Sequence, residues 1–151
     1  IRKTNLNFWE IADLFAPVVP LGYTFGRLGN FINGELYGRV TSSPMGMHFP
    51  LAPGLGLRHS SQLYEAFFEG IVLFAFLWNL LKLRTARGAI RAFYIIGYGT
   101  IRFFIEYYRQ PDVQLGFIFM SFSMGQILCS LMIIGGIALY LYLSRIEKQQ
   151  L

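Results

Sequence analysis

Four long apolar segments constrain the fold of this chain more than any other feature of its sequence. They cover residues 11–31, 62–83, 89–108 and 117–143. A helix rises about 1.5 Å per residue, so roughly 20 residues cross the hydrocarbon core of a bilayer. Backbone groups in lipid must bond within their own segment, which favours helices over isolated strands. The sequence therefore predicts an all-α, polytopic transmembrane helix bundle with about four spans.

The composition supports this class. Hydrophobic residues make up 54% of the chain and charged residues only 14%, against about a quarter in a typical soluble domain. Aromatic residues make up 17%, and Tyr and Trp suit the headgroup boundary. The net charge is +5. We attribute it to loop residues that set topology, and we expect no nucleic-acid partner.

Prolines mark two irregular places in a chain that is otherwise predicted to be one transmembrane domain, residues 1–151. Pro17 and Pro20 predict a kink or break in the first span. Three further prolines lie among glycines between residues 37 and 59, a pattern typical of an irregular loop.

Basic residues favour one orientation. Four spans put both chain ends and the 82–91 loop on one side, which then carries all three lysines. The basic residues of that side are Arg2, Lys3, Lys82, Arg84, Arg87, Arg91, Arg145 and Lys148. We therefore predict cytoplasmic chain ends, with the 37–59 loop and the 110–116 turn facing outward.

The third segment carries a polar stripe of four side chains. At 100° per residue, Tyr98, Arg102, Glu106 and Arg109 fall within an arc of about 80°. An arginine in mid-span costs at least ~2.5 kcal/mol, so it needs a reason to be there. One reason is a buried Arg102–Glu106 pair that fixes helix packing. The other is an anion site, in which the guanidinium binds a phosphate and Glu106 orients it.

Two other stretches combine polar residues with apolar surroundings. Arg27, Asn30, Glu35 and Gly38 end the first segment among glycines that let a ligand headgroup approach backbone N–H groups. The alternative is that these residues pack and cap a helix end. The second segment opens with His59, Gln62 and Glu65, followed by Glu69, and the last three share one face. They can bind a ligand or join helices, and His59 can be a titrating group or simply solvated.

The single cysteine, Cys129, lies in an apolar run and is predicted to be a packing residue. A disulfide within the chain is excluded, and there is no C-x-x-C metal motif. No metal or cofactor is expected.

Three stretches together carry a family resemblance. They read G-R-L-G-N-F-I-N-G-E-L-Y-G-R at residues 26–39, R-H-S-S-Q-L-Y-E at 58–65 and G-Y-G-T-I-R-F-F-I-E-Y-Y-R-Q-P-D at 97–112. S-M-G-Q at 123–126 also fits. On these residues the chain resembles the bacterial phosphatidylglycerol–prolipoprotein diacylglyceryl transferases over nearly its whole length.

The resemblance implies a lipid-to-protein transfer in the bacterial plasma (inner) membrane. The diacylglyceryl group of phosphatidylglycerol moves to the lipobox cysteine thiol of a preprolipoprotein, a thioether forms and glycerol 1-phosphate leaves. Its partners are thus phosphatidylglycerol, the preprolipoprotein signal peptide and membrane lipid. The implied catalytic residues are Arg102, Glu106 and Tyr98. The implied phosphatidylglycerol-binding residues are Arg27, Asn30, Glu35, Gly38 and Arg109, with His59, Gln62 and Glu65 in secondary roles.

The chain departs from the family pattern in two ways. The H-G-G motif, whose histidine is a proposed base, is not in this sequence, and neither His48 nor His59 matches it. The chain also starts without an initiator Met or a visible signal peptide. We therefore expect it to be the C-terminal part of a seven-span bundle that lacks the base. The second departure is Ser60, which stands where the family usually has Pro.

Two other functions stay open at this point. One is a fragment of an anion or lipid transporter or channel, with Arg102 and Glu106 lining the path. The other is a non-catalytic phospholipid-binding subunit. The sequence does not determine the lipoprotein substrates, the group that deprotonates the thiol, or the oligomeric state.

Overall fold

The first predicted span is two helices rather than one. The computed structural model describes residues 8–83, 88–110, 117–119 and 122–150. Helix α1 covers Phe8–Phe15 and helix α2 covers Val18–Ile32. The chain breaks at Pro17, as predicted. Pro20 is tolerated in α2 because N–H groups of the first helical turn have no partner within the helix.

Helix α3 covers Ser61–Lys82, within one residue at each end of the predicted second span. Residues Glu65–Val72 within it form a π-helix, in which hydrogen bonds reach one residue further than in an α-helix. This wider stretch carries both acidic residues of the helix, Glu65 and Glu69. Helix α3 has a mean hydropathy of 1.4.

Helix α4 covers Ala89–Ile105. Asp13 of α1 fixes its start, because the carboxylate accepts hydrogen bonds from the Gly88 N–H and from Arg91 Nε, the latter at 2.9 Å. The predicted continuation to residue 108 is wrong. The Tyr108 carbonyl accepts a hydrogen bond from the Arg39 N–H at 2.9 Å, so the 37–59 loop, not the helix, uses this part of the backbone.

The fourth span begins later than predicted. Strand β1 (Phe117–Phe119) pairs antiparallel with strand β2 (Phe122–Ser123), and helix α5 then covers Met124–Gln150. The predicted helix is therefore wrong over residues 117–119 and 122–123. Helix α5 starts at a hydrogen-bonded cap on Ser123, and apolar residues before that cap fit a strand as well as a helix.

The helices pack through small residues and a compact apolar core. Leu73 and Leu77 of α3 are almost completely buried against Ile90 of α4. On the other face of α4, Gly99 lies close to the carbonyl oxygen of Cys129 on α5. Small residues let helix backbones approach in this way, so Cys129 is buried at a helix contact.

The observed fold is helical apart from the short β1–β2 ribbon. Among the described residues, two helical stretches are long and apolar enough to cross a membrane, Ser61–Lys82 and Met124–Ile146. The second has the higher mean hydropathy, 2.1. The topology prediction partly depends on residues outside the described part of the chain. These are residues 111–116, Arg84, Arg87 and both chain ends.

Residues 37–59 form an irregular loop that is tied to the end of α4. Isolated backbone bridges join Gly38 to Arg109, and Arg58 to both Val40 and Met47. The buried Arg58 guanidinium donates hydrogen bonds to the carbonyl oxygens of Gly38 and Pro53, at 3.3 and 3.2 Å. The loop therefore holds a defined position beside the last turn of α4.

Candidate active site

Three arginines from separate parts of the sequence converge on one carboxylate, that of Glu65. Arg27 Nε lies 2.7 Å from Glu65 Oε2, while Arg102 Nη1 and Arg109 Nη1 lie 3.3 and 3.8 Å from Oε1. The Tyr23 hydroxyl donates to Oε2 at 3.1 Å. Glu65 is only 1% exposed. This cluster therefore joins α2, α3 and the end of α4 through buried charge.

Arg102 contacts three carboxylates. Besides Glu65, its Nη1 lies 3.4 Å from Glu69 Oε1, and its Nη2 lies 3.6 Å from Glu106 Oε2. The predicted Arg102–Glu106 pair exists, but the two α3 carboxylates lie closer to the guanidinium. All three distances exceed the 2.7–2.9 Å of a tight charge-assisted hydrogen bond.

A second group of contacts holds Arg27. In the amide orientation that satisfies its neighbours, Asn30 accepts from Arg27 Nη1 at 3.1 Å and donates to Glu35 Oε1 at 3.2 Å. The Glu35 carbonyl accepts from Gln62 Nε2 at 2.6 Å. The guanidinium also lies over the Tyr23 ring, 4.7 Å from its centroid. Asn30 bonds to Arg27 directly and links it to Glu35 and Gln62, so three of the predicted residues lie next to this arginine.

Tyr98 lies next to this cluster through aromatic contacts. Its ring meets Tyr23 edge-on at a centroid distance of 6.2 Å and stacks with Tyr94 at 6.1 Å. Tyr23 also bonds to Glu65, so Tyr98 is one residue removed from the arginine cluster. Tyr98 and Arg102 of the predicted stripe thus face α2 and α3, whereas Glu106 also contacts Ser123 at the start of α5.

Buried charges of both signs balance in this site. Arg27, Arg102 and Arg109 face Glu65, Glu69 and Glu106, and each pair offsets part of the cost of removing its charges from water. Glu69 Oε2 is buried and has no hydrogen-bond partner among the described residues. In the same part of the chain, no three His, Cys, Asp or Glu side chains come together as a metal site. Each of the three arginines is thus matched by at least one carboxylate.

The chain is similar to known proteins of one family. Residues 1–142 match the family described as Prolipoprotein diacylglyceryl transferase. The chain belongs to this family. A phosphatidylglycerol–prolipoprotein diacylglyceryl transferase of Chlorobaculum tepidum is 62% identical over 141 residues, which is 93% of this chain and 49% of the relative.

Two further diacylglyceryl transferases are similar over the same region. That of Pseudoalteromonas translucida is 54% identical, covering 88% of this chain and 49% of the relative. That of Treponema denticola is 43% identical, covering 98% of this chain and 57% of the relative. The chain thus spans about half the length of the curated relatives it matches. Family membership and the two apolar helices together indicate a membrane protein.

Two of the predicted residues of this transferase-family chain have other neighbours. A Cβ on Gly38 would lie 2.5 Å from the Tyr108 carbonyl oxygen and 2.8 Å from that of His59, so close backbone packing requires glycine there. His59 Nδ1 lies 3.3 Å from the Tyr64 hydroxyl, and its ring meets Tyr108 edge-on at 5.2 Å. These aromatic residues line a cavity of about 580 Å³ with Phe68 and Phe104. Gly38 meets Arg109 of the cluster through a backbone bridge, whereas the contacts of the His59 ring are with tyrosines.

Sequence reasoning underestimated the acidic side of the site. Glu65 was predicted in a secondary role, yet it contacts all three arginines. Tyr23 was missed, although it lies one helical turn before Arg27 and therefore on the same face. Glu69 lies four residues after Glu65 in the same apolar helix and therefore on the same face, which indicates a contact with an arginine.

Proposed function

We propose that the full-length protein transfers the diacylglyceryl group of phosphatidylglycerol to the thiol of a lipobox cysteine in a preprolipoprotein. The observation that carries this proposal is the convergence of Arg27 and Arg102, from two different helices, on Glu65. Two guanidinium groups held this way can bind one phosphate from two sides. Family membership supports the choice of a lipid phosphate.

The chemistry needs cationic groups near the phosphate. The substrate thiolate attacks the glyceryl carbon next to the phosphate oxygen, a C–S bond forms and the C–O bond breaks. Negative charge then develops on the leaving glycerol 1-phosphate. Preorganised donors stabilise such charge because they need no rearrangement at the moment of reaction. Arg102 fills this role in the proposal, while Arg27 binds the phosphate in the ground state as well.

The other predicted residues support these two arginines. Asn30 and Glu35 hold Arg27 in orientation through the amide contacts described above. Glu106 orients Arg102 from the opposite side to Glu65 and Glu69. We propose that Arg109 adds a third positive charge for the lipid headgroup, and that Tyr98 lies beside the reacting group. Gly38, His59 and Gln62 shape the loop and helix ends around the site.

We further propose a topology of four spans in the bacterial inner membrane, with cytoplasmic chain ends. Helices α1 and α2 together form the first span, and α3, α4 and α5 form the others. Arg102 lies one turn before the last residue of α4, close to the 37–59 loop that we place outside. That depth suits a lipid phosphate of the outer leaflet. It also suits a preprolipoprotein cysteine that has already crossed the membrane.

The test uses the full-length protein with phosphatidylglycerol and a lipobox peptide in detergent micelles. We expect glycerol phosphate release in equal amount to thioether formed on the peptide. Arg102→Ala should lower this rate by about 100-fold or more, as expected for loss of a charge-stabilising donor. Anion flux across vesicles without lipid turnover would instead indicate a transporter. Binding of phosphatidylglycerol with an unmodified peptide would indicate a non-catalytic subunit.

A further inference from the structure

The start of helix α5 has a reciprocal hydrogen-bond pattern built from S-M-G-Q. The Gln126 N–H donates to Ser123 Oγ at 3.3 Å, and the Ser123 N–H donates to Gln126 Oε1 at 3.1 Å. This is a capping box, which fixes both the first helical residue and the direction in which the helix begins. Both side chains are nearly fully buried. The beginning of α5 is therefore a rigid feature of the fold.

The carboxylate of Glu106 rests directly on this rigid start. The Ser123 hydroxyl donates to Glu106 Oε1 at 3.1 Å. A Cβ on Gly125 would lie 2.8 Å from Glu106 Oε1 and 2.9 Å from its Cδ, closer than real Cβ atoms come to other groups. A side chain at position 125 would therefore force the Glu106 carboxylate to shift. Glu106 is 8% exposed, so it has little freedom to move elsewhere.

The same carboxylate reaches Arg102 with its other oxygen. Oε2 lies 3.6 Å from Arg102 Nη2, while Glu65 and Glu69 contact Nη1 at 3.3 and 3.4 Å. The guanidinium is thus drawn towards α3 by two carboxylates and towards α5 by one. If Glu106 moved away, the remaining attraction would shift Arg102 towards α3.

We propose that Gly125 and Ser123 are positioning residues that place Arg102 through Glu106. This inference rests on the proposed transfer reaction. Gly125 supplies the space for the carboxylate, and Ser123 supplies the hydrogen bond that directs it. Both residues meet Glu106, and through it the start of α5 sets the position of Arg102 on α4.

The first experiment compares two glycine substitutions on α5 in the full-length protein. Gly125→Ala places a methyl group against Glu106, whereas Gly135→Ala adds the same methyl where nothing among the described residues lies within 4 Å. We expect Gly125→Ala to lower kcat by about tenfold while KM for phosphatidylglycerol changes by less than about threefold. Gly135→Ala should stay within about twofold of wild type in both constants. Equal kcat values for the two variants would overturn the proposal.

A double variant tests whether the effect passes through Glu106. Glu106→Asp shortens the side chain and makes room for the methyl group of Gly125→Ala. We expect the double variant to be about threefold or more faster than the product of the two single effects predicts, because the substitutions compensate. Losses that simply multiply would contradict a route through Glu106.

Two substitutions of Ser123 test the positioning role if the Gly125→Ala protein does not accumulate in membranes. Ser123→Thr keeps the hydroxyl group, and Ser123→Ala removes it. We expect Thr to retain nearly the wild-type kcat and Ala to lose about tenfold. Equal rates would overturn the proposal.

Failure of the reaction and failure of the inference remain distinguishable. Wild-type protein that releases no glycerol phosphate would refute the proposed function, and this inference with it. Normal wild-type turnover with an unchanged kcat in Gly125→Ala would refute only the positioning role.

Discussion

Arg27 on α2 and Glu65 on α3 form a buried ion pair of 2.7 Å. Glu65 also meets Arg102 and Arg109, so a single carboxylate sets the relative positions of three positive charges. Glu65 is the first residue of the π-helical stretch of α3, and π-helical turns are frequent at functional sites.

Replacing Glu65 with glutamine should therefore impair the site more than the loss of one contact suggests. The amide would keep the shape of the side chain but leave three partly buried arginines with one negative charge fewer. We expect transfer in the full-length protein to fall by about 100-fold, measured as glycerol phosphate release. Glu10→Gln in α1, a helix that carries none of the three arginines, is the control and should retain transfer. Comparable rates for both variants would show that Glu65 does not organise the site.

We expect that a lysine at position 102 cannot perform the function of Arg102. The guanidinium uses two nitrogens to reach three carboxylates, whereas an ammonium group is a single point of charge and cannot span them. We expect Arg102→Lys to lose about 100-fold in kcat, close to the loss in Arg102→Ala. Arg91→Lys, which changes the pair with Asp13 near the start of α4, is the matched control and should lose less than about tenfold. Efficient turnover by Arg102→Lys would mean that charge alone suffices.

Contact between α2 and α3 depends on Gly70. A Cβ at this position would collide with the Thr24 hydroxyl, which itself bonds to the Ala66 carbonyl at 3.3 Å. Gly70→Ala should therefore separate the helices, part Arg27 from Glu65 and destabilise the protein by about 1–3 kcal/mol. Thermal unfolding in detergent and the transfer rate measure the two effects. Adding Thr24→Ala should restore part of both, and a double variant no better than Gly70→Ala would contradict this account.

The parts of the fold that are fixed by interactions within one segment could be predicted from the sequence. Helix α3 was predicted within one residue, and Pro17 correctly marked the break before α2. Glu106 lies past the end of α4 and also contacts Ser123 on α5, but the predicted face shared by Tyr98 and Arg102 is correct. Each of these follows from periodicity or from a backbone restriction within one segment.

The errors arose where a second segment decides the outcome. Periodicity places Arg102 on a face but does not say which helix that face meets, so the role of Glu65 was underestimated. Helix α4 ends at Ile105, and just beyond it the carbonyl groups of Tyr108 and Arg109 accept hydrogen bonds from Arg39 of the 37–59 loop. Residues 117–123 are apolar enough for a helix, and the capping box on Ser123 excludes them from it. The S-M-G-Q stretch indicates this helix start, because Ser and Gln three residues apart form the pattern of a capping box.

Cys129 provides a direct test of where the reacting thiol comes from. This cysteine is 4% exposed and lies at the contact between α4 and α5, where Gly99 packs against its carbonyl oxygen. In the proposed reaction the nucleophile belongs to the preprolipoprotein, so the thiol of Cys129 has no chemical role. Cys129→Ala should therefore keep the transfer rate within about twofold and lower stability by only about 1 kcal/mol, the cost of removing one small buried group. Mass spectrometry of the peptide and of the protein after turnover should find the diacylglyceryl group on the peptide cysteine alone. A lipid adduct on Cys129, or loss of transfer in a folded Cys129→Ala protein, would mean that the chain supplies its own nucleophile in a two-step reaction.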